Sequence, residues 1–294
     1  MKITNMLGLD QSFVDYCTLG IRPLNPERMG VTTLIGPPQI RALKFKHWDE
    51  MEEDIADRLW AMFGTGFHEE LAKYRRVGVV QEFKMEMKAG PFTLVGVADI
   101  IDFVMKYIDD YKVTSVWSVK FGNHPEWDQQ LNVYRIMLWK LTGVMVSKLR
   151  IHAIMRDWSA RDAESDKSYP QVQIRTHECD VWDTDKAIEY MKNCINEHSA
   201  STPRPCTPEE MWAKPSKWAV MKKGNKSACR GGVKDTEEQA KKYISDERLT
   251  AKDDKAKKEV AKMYIEHRPG ECLRCKRYCG VAKFCLQNPH REDK

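Results

Sequence analysis

At 294 residues the chain is long enough for one large hydrophobic core, or for a core with a small appendage. It is 42% hydrophobic and 31% charged, the composition of a soluble globular protein. No apolar run nears the roughly 20 residues that a bilayer-spanning helix needs, which excludes such a helix. The formal charge of +5 is unevenly spread: Lys214 to Lys294 hold 22 Lys/Arg against 12 Asp/Glu, a local net of +10, so the preceding residues sum to −5. A basic C-terminal region beside an acidic region suits a polyanionic partner, although the lysines of 252–262 read equally well as a solvated helix face.

Met1-Lys2-Ile3-Thr4-Asn5 lacks the apolar stretch and cleavage site of a secretory signal, so the expected location is cytoplasmic. Residues 1–47, with Pro23, Pro26, Pro37 and Pro38, read as irregular. A helical pattern runs from Asp49 to Arg75, where Gly64-Thr65-Gly66 is expected to bend or divide it. Val79–Phe83, Phe92–Val104 and Tyr107–Trp117 read as successive strands, with a turn at Ala89-Gly90-Pro91. Glu126–Leu141 reads as a helix, Leu149–Met155 and Val172–Ile174 as strands joined by the charged stretch 157–167, and Asp185–Ile195 as a helix. The boundary falls at Ser199-Ala-Ser-Thr-Pro-Arg-Pro205, separating residues 1–198 from a basic, cysteine-rich region, 199–294. Beyond it Thr207-Pro208-Glu209-Glu210 has the form of a helix start, with a threonine cap and a glutamate that reaches back.

The stretch from Gly96 to Tyr134 carries the chemistry. Asp110 and Lys112 sit at i and i+2 of a strand, so their side chains are neighbours on one face, and Tyr111 points the other way, toward the core. Asp99 lies in the preceding strand, where an unpaired buried carboxylate is costly. Two carboxylates brought together repel unless a cation joins them, and Mg2+ or Mn2+ favours such oxygen ligands. An ion there can polarise a phosphate and acidify a water, and a neighbouring lysine can stabilise the developing charge. Gln130 and Tyr134, one helical turn apart, share a face from which both can hydrogen-bond a substrate. His68, after the glycine break, is a candidate ligand or a satisfied boundary histidine. Glu82 is a further candidate acid, with Glu86 as its rival.

Taken together, these motifs resemble the PD-(D/E)xK nuclease superfamily and, within it, the RecB-like and Cas4-like exonucleases of phages and CRISPR systems. The resemblance covers Gly30-Val-Thr-Thr-Leu-Ile, Gly64-Thr-Gly-Phe-His68, Gln81-Glu82, Gly96-Val-Ala-Asp99, Asp110-Tyr-Lys112 and Trp127-Asp-Gln-Gln130-Leu-Asn-Val-Tyr134. It implies an α/β restriction-endonuclease-like core, a mixed central sheet flanked by helices. It implies that His68, Asp99, Asp110 and the Tyr111 carbonyl bind Mn2+ or Mg2+, that Lys112 is catalytic, and that Gln130 and Tyr134 bind substrate. Glu82 matches more loosely. The implied activity is metal-dependent exonucleolysis of single-stranded or end-containing DNA, in a bacterial or phage-infected cell, with a homo-oligomer or recombination or CRISPR proteins as further partners.

Nine cysteines in a reducing compartment point to metal or cluster ligation rather than disulfides. Cys272, Cys275, Cys279 and Cys285 fall within 14 residues, a density suited to structural Zn2+ or an iron–sulfur cluster. The resemblance implies a [4Fe–4S] cluster on the triplet Cys275, Cys279 and Cys285 plus one remote cysteine. The x3, x5 spacing departs from the usual shorter first gap. Cys206 is preferred as the fourth ligand, before Cys272 and then Cys17. The cluster's expected role is structural, pinning the C-terminal segment to the core. Cys179, Cys194 and Cys229 are expected to be ordinary thiols. A nucleic-acid-binding module without catalysis, and a cluster protein whose acidic site is incidental, are the rival readings.

Overall fold

The computed structural model describes residues 1–21 and 23–291. The chain divides into two compact units, residues 1–205 and 206–294. Unit 1 comprises β1 (Lys2–Thr4), α1 (Gln11–Leu19), β2 (Arg28–Gly30), α2 (Val31–Leu34), α3 (Pro38–Lys46), β3 (Glu52–Asp54) and α4 (Ile55–Leu71). It continues with β4 (Val79–Ala89), β5 (Phe92–Asp102), β6 (Tyr107–Thr114), α5 (Val116–Phe121), α6 (Pro125–Thr142), β7 (Lys148–Met155), α7 (Ala160–Ser165), β8 (Ile174–Cys179) and α8 (Thr184–Ser199). The fold of unit 1 is thus α/β, with a mixed central sheet flanked by helices.

That sheet has the order β2-β5-β6-β7-β8, with β4 paired to β5. The pairings β2–β5 and β6–β7 are parallel, and β4–β5, β5–β6 and β7–β8 are antiparallel. Because β4 covers one edge of β5 along its length, β2 and β6 must share the other edge. β2 takes Thr93–Val95 and β6 takes only Ile100–Asp102. Between them Gly96–Asp99 has no ladder partner on that edge, so β5 and β6 diverge and leave a notch in the sheet. Strand alternation sends Ile108, Asp110 and Lys112 to one face of β6, and Asp109 and Tyr111 to the other.

The first face carries the main core. Leu131, Ile136 and Leu138 of α6 and Ala187 and Met191 of α8 bury against Ile101, Ile108, Leu149 and Ile151 of the sheet. Helix α4 lies against the second face, where Phe67 and His68 each meet the Tyr111 ring edge-on at 5.8 Å. Asp54 sets the start of α4. Its carboxylate accepts the Ala56 amide, as a helix cap, together with the Met6 amide and the Thr4 hydroxyl.

Unit 2 contains β9 (Ala213–Lys214), β10 (Lys217–Lys222), β11 (Val233–Lys234), α9 (Glu237–Thr250), α10 (Asp254–Ala261), β12 (Met263–Arg268) and β13 (Glu271–Cys272). The order β11-β10-β12 forms an antiparallel sheet, and β9 pairs with β13. A small core of Val220, Ala240, Ile244 and Val260 joins that sheet to its two helices.

Several sequence expectations need correction. Residues 1–47 are not irregular; they hold β1, α1, β2, α2 and α3, and Pro38 opens α3 at a position where its missing N–H is not needed. Gly64 and Gly66 do not divide α4, which runs unbroken with open space where their β-carbons would lie. The strand expected at 172–174 lies at Ile174–Cys179, and that expected to reach Trp117 ends at Thr114. Thr207 and Glu210 do form the reciprocal cap bonds, but a turn rather than a helix follows, because Trp212 is left-handed (φ 52°) and β9 begins at Ala213. Tyr111 does point away from Asp110, but onto α4 and His152 at half-burial rather than into the core.

Gly96 has a packing reason. A β-carbon there would lie 2.7 Å from Tyr134 Cε1 and 3.3 Å from Val31 Cγ2. The Tyr134 ring is buried and its hydroxyl is held by Gln130, so it cannot yield cheaply. Gly96→Ala should therefore destabilise unit 1 by about 1–3 kcal/mol, read as a lower thermal midpoint; an unchanged midpoint would show that the ring is free to move.

Candidate metal centre

The notch between β5 and β6 gathers ionisable groups from five elements. The β5–β6 ladder ends at Ile100↔Asp109, which leaves Asp99 and Asp110 as the next, unladdered pair. Asp99 replaces the missing ladder bond with its side chain, Oδ2 accepting the Tyr111 amide at 2.7 Å. Its Oδ1 lies 3.2 Å from His68 Nδ1 on α4. Glu82 stands opposite Asp99 on β4, between the paired residues Gln81 and Phe83, and adopts a left-handed φ of 50°. That conformation costs about 1–3 kcal/mol in a residue other than glycine. It accompanies a carboxylate 3.7 Å from His68 Nδ1. Donor atoms of His68, Glu82 and Asp99 all lie within 4.8 Å of one another.

Asp110 occupies the other wall at 2% exposure. Its Oδ2 is 2.7 Å from Lys112 Nζ, an ion pair without hydrogen-bond geometry, so that buried oxygen has no hydrogen-bond partner. Its Oδ1 accepts from Gln130 Nε2 at 3.2 Å, and the same amide nitrogen donates to Tyr134 Oη at 3.1 Å. Gln130 Oε1 in turn accepts from Lys112 Nζ at 3.1 Å. Asp110, Lys112, Gln130 and Tyr134 thus form one connected network on the α6 face, and His68, Glu82 and Asp99 a second grouping across the notch.

Burial sets the electrostatics. It pushes Asp110 up to about 6; the Lys112 charge opposes this and Asp99 adds to it. Burial also raises Glu82, followed by the charge of Asp99. The hydrogen bond to Asp99 raises His68 and outweighs its burial. Burial holds the Tyr134 phenol protonated, and the nearby Asp110 charge adds to this. Three carboxylates and one imidazole therefore converge with one lysine as the adjacent cation. Three converging carboxylates with only one lysine beside them, and a mixed O/N donor set, fit a hard divalent ion of the Mg2+ or Mn2+ kind.

The sequence-derived residues His68, Glu82, Asp99, Asp110, Tyr111, Lys112, Gln130 and Tyr134 are all brought to this notch. Glu86 is not: it forms a two-point ion pair with Arg28, at 2.7 and 3.0 Å. Sequence reading missed Asp109, whose buried carboxylate receives Arg150 at 2.7 Å through both nitrogens and His152 at 3.0 Å. This triad braces the back of β6 beneath Tyr111, and its only sequence signal is an aspartate doublet in a strand.

In unit 2, Cys206 is tied back to the triplet segment. Its amide donates to Gln287 Oε1 at 2.8 Å, and Gln287 Nε2 donates to its carbonyl at 2.6 Å. Burial pushes the Cys206 thiol up to about 11, and Glu210 and the neighbouring Cys285, Cys279 and Cys275 add to the shift, so the four thiols share one electrostatic neighbourhood. Cys272 lies near Cys275, and its amide donates to His290 Nε2 at 3.1 Å. Cys17 belongs to unit 1, buried within α1. Among the described residues, no three of these cysteine sulfurs lie within 4.8 Å of one another. A tetrahedral zinc cage with Zn–S near 2.3 Å needs sulfurs about 3.8 Å apart.

The raised Asp110 has a consequence in chelator. Its folded value lies above the unfolded one, so the protonated form is favoured by folding. Stability is fully present below the unfolded value and is lost as pH rises through about 6. Metal-free Asp110→Asn should therefore exceed wild type in stability at pH 7.5 by on the order of 2 kcal/mol, with the gap closing toward pH 4. Urea unfolding of both proteins at the two pH values checks this.

No known family profile matches the chain, and no curated protein matches it. Among solved structures, one similar to it is described as the crystal structure of SSO0001. That likeness has a TM-score of 0.42 at 16% identity and covers 66% of this chain and 86% of that one. At this level it carries no argument, and the chemistry rests on the residues above.

Proposed function

We propose that unit 1 is a metal-dependent deoxyribonuclease of the PD-(D/E)xK type, a RecB-like or Cas4-like exonuclease acting on single-stranded or end-containing DNA. One observation carries this reading. Eight residues chosen for that chemistry, from positions 68 to 134, come from five separate elements and meet at one notch. A structural salt bridge would need two of them.

His68, Asp99 and Asp110, with Glu82 and the Tyr111 carbonyl, would hold Mn2+ or Mg2+. When bound, the ion polarises a phosphoryl oxygen and lowers the pKa of a water. The protein's own groups supply the rest. Lys112 Nζ offers positive charge to the phosphate oxygens as the diester is attacked. Gln130 holds Lys112 and Asp110 in register through its two amide atoms, and Tyr134 fixes that amide. Asp110 must be ionised to hold the ion, so protons compete with the metal and the Mn2+ concentration needed for half-maximal activity should rise as pH falls.

Unit 2 is proposed to bind a [4Fe–4S] cluster through Cys206, Cys275, Cys279 and Cys285. The shared neighbourhood of these thiols and the tie of Cys206 to Gln287 support these four as the ligands. Its basic surface would add phosphate contacts that weaken with salt.

With Mn2+ and linear DNA, wild type should release nucleotides, Lys112→Ala should be about 10²–10³-fold slower, and Asp110→Ala should be inactive while keeping its far-UV circular dichroism. Wild-type rates in both variants would refute the assignment. Anaerobically purified protein should be brown with about four iron atoms per chain; Cys206→Ser should lose the iron, and Cys272→Ser should keep it.

A further inference from the structure

A second group of metal-binding side chains lies on the same sheet face, apart from the notch. Donor atoms of Asp128, His177 and Cys179 lie within 4.8 Å of one another. His177 and Cys179 stand at i and i+2 of β8 and so share a face, and Asp128 comes from the first turn of α6. The three offer a carboxylate oxygen, an imidazole nitrogen and a thiol sulfur. Cys179 is 7% exposed, whereas His177 is exposed and makes no ring-nitrogen hydrogen bond among the described residues.

The frame around these donors is rigid. Asp128 Oδ1 accepts the Asp180 amide at 3.1 Å, and the Asp128 carboxylate also accepts from the Cys179 thiol, the proton that an ion would displace. Buried Asn132 clamps α6 to the chain after β8. Its Nδ2 donates to the Asp128 and Asp180 carbonyls, each at 2.8 Å, and its Oδ1 accepts the Trp182 amide at 2.9 Å. Trp127 meets the His177 ring edge-on at 5.6 Å and is itself stacked on His124 at 3.9 Å. Such outer contacts fix ligand orientation. Asp128 and His177 also line a cavity of about 390 Å³, whose wall carries Glu178 and Asp180 against Lys120 and Arg175.

From this arrangement we infer that Asp128, His177 and Cys179 form a Zn2+ site with its fourth position open to the cavity. The donor chemistry decides the metal: sulfur and imidazole beside one carboxylate suit a borderline-soft ion, and three protein ligands with one open position is a recurrent zinc geometry. Donors within 4.8 Å need to close by only about 1 Å to reach tetrahedral spacing. Binding removes the proton from Cys179 Sγ to solvent as the Zn–S bond forms. The ion would staple the exposed edge strand β8 to the start of α6.

The site is not a partner to the notch. Asp110, Ile151 and His177 lie in one row across β6, β7 and β8, so His177 is two strand spacings, about 10 Å, from the Asp110 strand. Two-metal hydrolysis needs ions about 4 Å apart. The inference is therefore independent of the nuclease reading.

Co2+ serves as the probe, because thiolate ligation gives it a charge-transfer band in the near-ultraviolet. Full-length protein, chelated and then titrated with Co2+, should lose one equivalent of bound metal and part of that band in both Cys179→Ser and His177→Ala. Cys194→Ser should match wild type. Zn2+ at ten times its apparent Kd should raise the thermal midpoint of wild type by more than that of His177→Ala, which keeps the notch and the unit 2 cysteines and whose exposed side chain is not needed for folding. Equal Co2+ stoichiometry and spectra in wild type and both variants would overturn the site, as would an equal Zn2+ shift in wild type and His177→Ala.

Discussion

The divergence of β5 and β6 is the constraint on which the site depends. Where the ladder stops, Asp99 must cap a bare amide with its own carboxylate, and Asp110 is left facing it at 2% exposure. A buried carboxylate that is half-satisfied is expensive. The fold meets that cost with Lys112, Gln130 and His68, and it tolerates a left-handed Glu82 to bring in a third carboxylate. A stability-driven sequence would place apolar or amide side chains here. Retaining the charge makes physical sense if a cation completes the site.

The two faces of the sheet divide the labour. One face is covered by α6 and α8, whose apolar residues form the core and whose Gln130 and Tyr134 reach the notch from above. The other is covered by α4, which delivers His68, while Asp109, Arg150 and His152 brace β6 from behind. Gly96 belongs to this design, since only its missing side chain lets Tyr134 lie against β5. The positions of Lys112 and Asp110 thus rest on packing at some distance from the chemistry.

What could be read from sequence follows the range of the interactions. Asp110 and Lys112 share a face by the two-residue period of a strand, and Gln130 and Tyr134 by the helical turn; both are local rules. His68 and Glu82 are different. Their place at the notch depends on how α4 and β4 meet β5, which no local period dictates. Strand register puts Glu82 opposite Asp99, and an ion pair with Arg28 holds Glu86 elsewhere; neither is visible in one dimension. Glycine and proline misled where tertiary packing overrode them: α4 runs through Gly64 and Gly66, and Pro38 begins a helix. The Thr207–Glu210 cap formed as its residues dictate, but without the helix it usually precedes.

The central claim is that the buried acids of the notch exist to hold a divalent ion. Crystals grown with Mn2+ and measured at the manganese absorption edge test this most directly. The account predicts an anomalous peak bounded by His68, Asp99 and Asp110, with Lys112 drawn away from Asp110 Oδ2. No peak there at saturating Mn2+, with the Lys112–Asp110 ion pair intact, would contradict it.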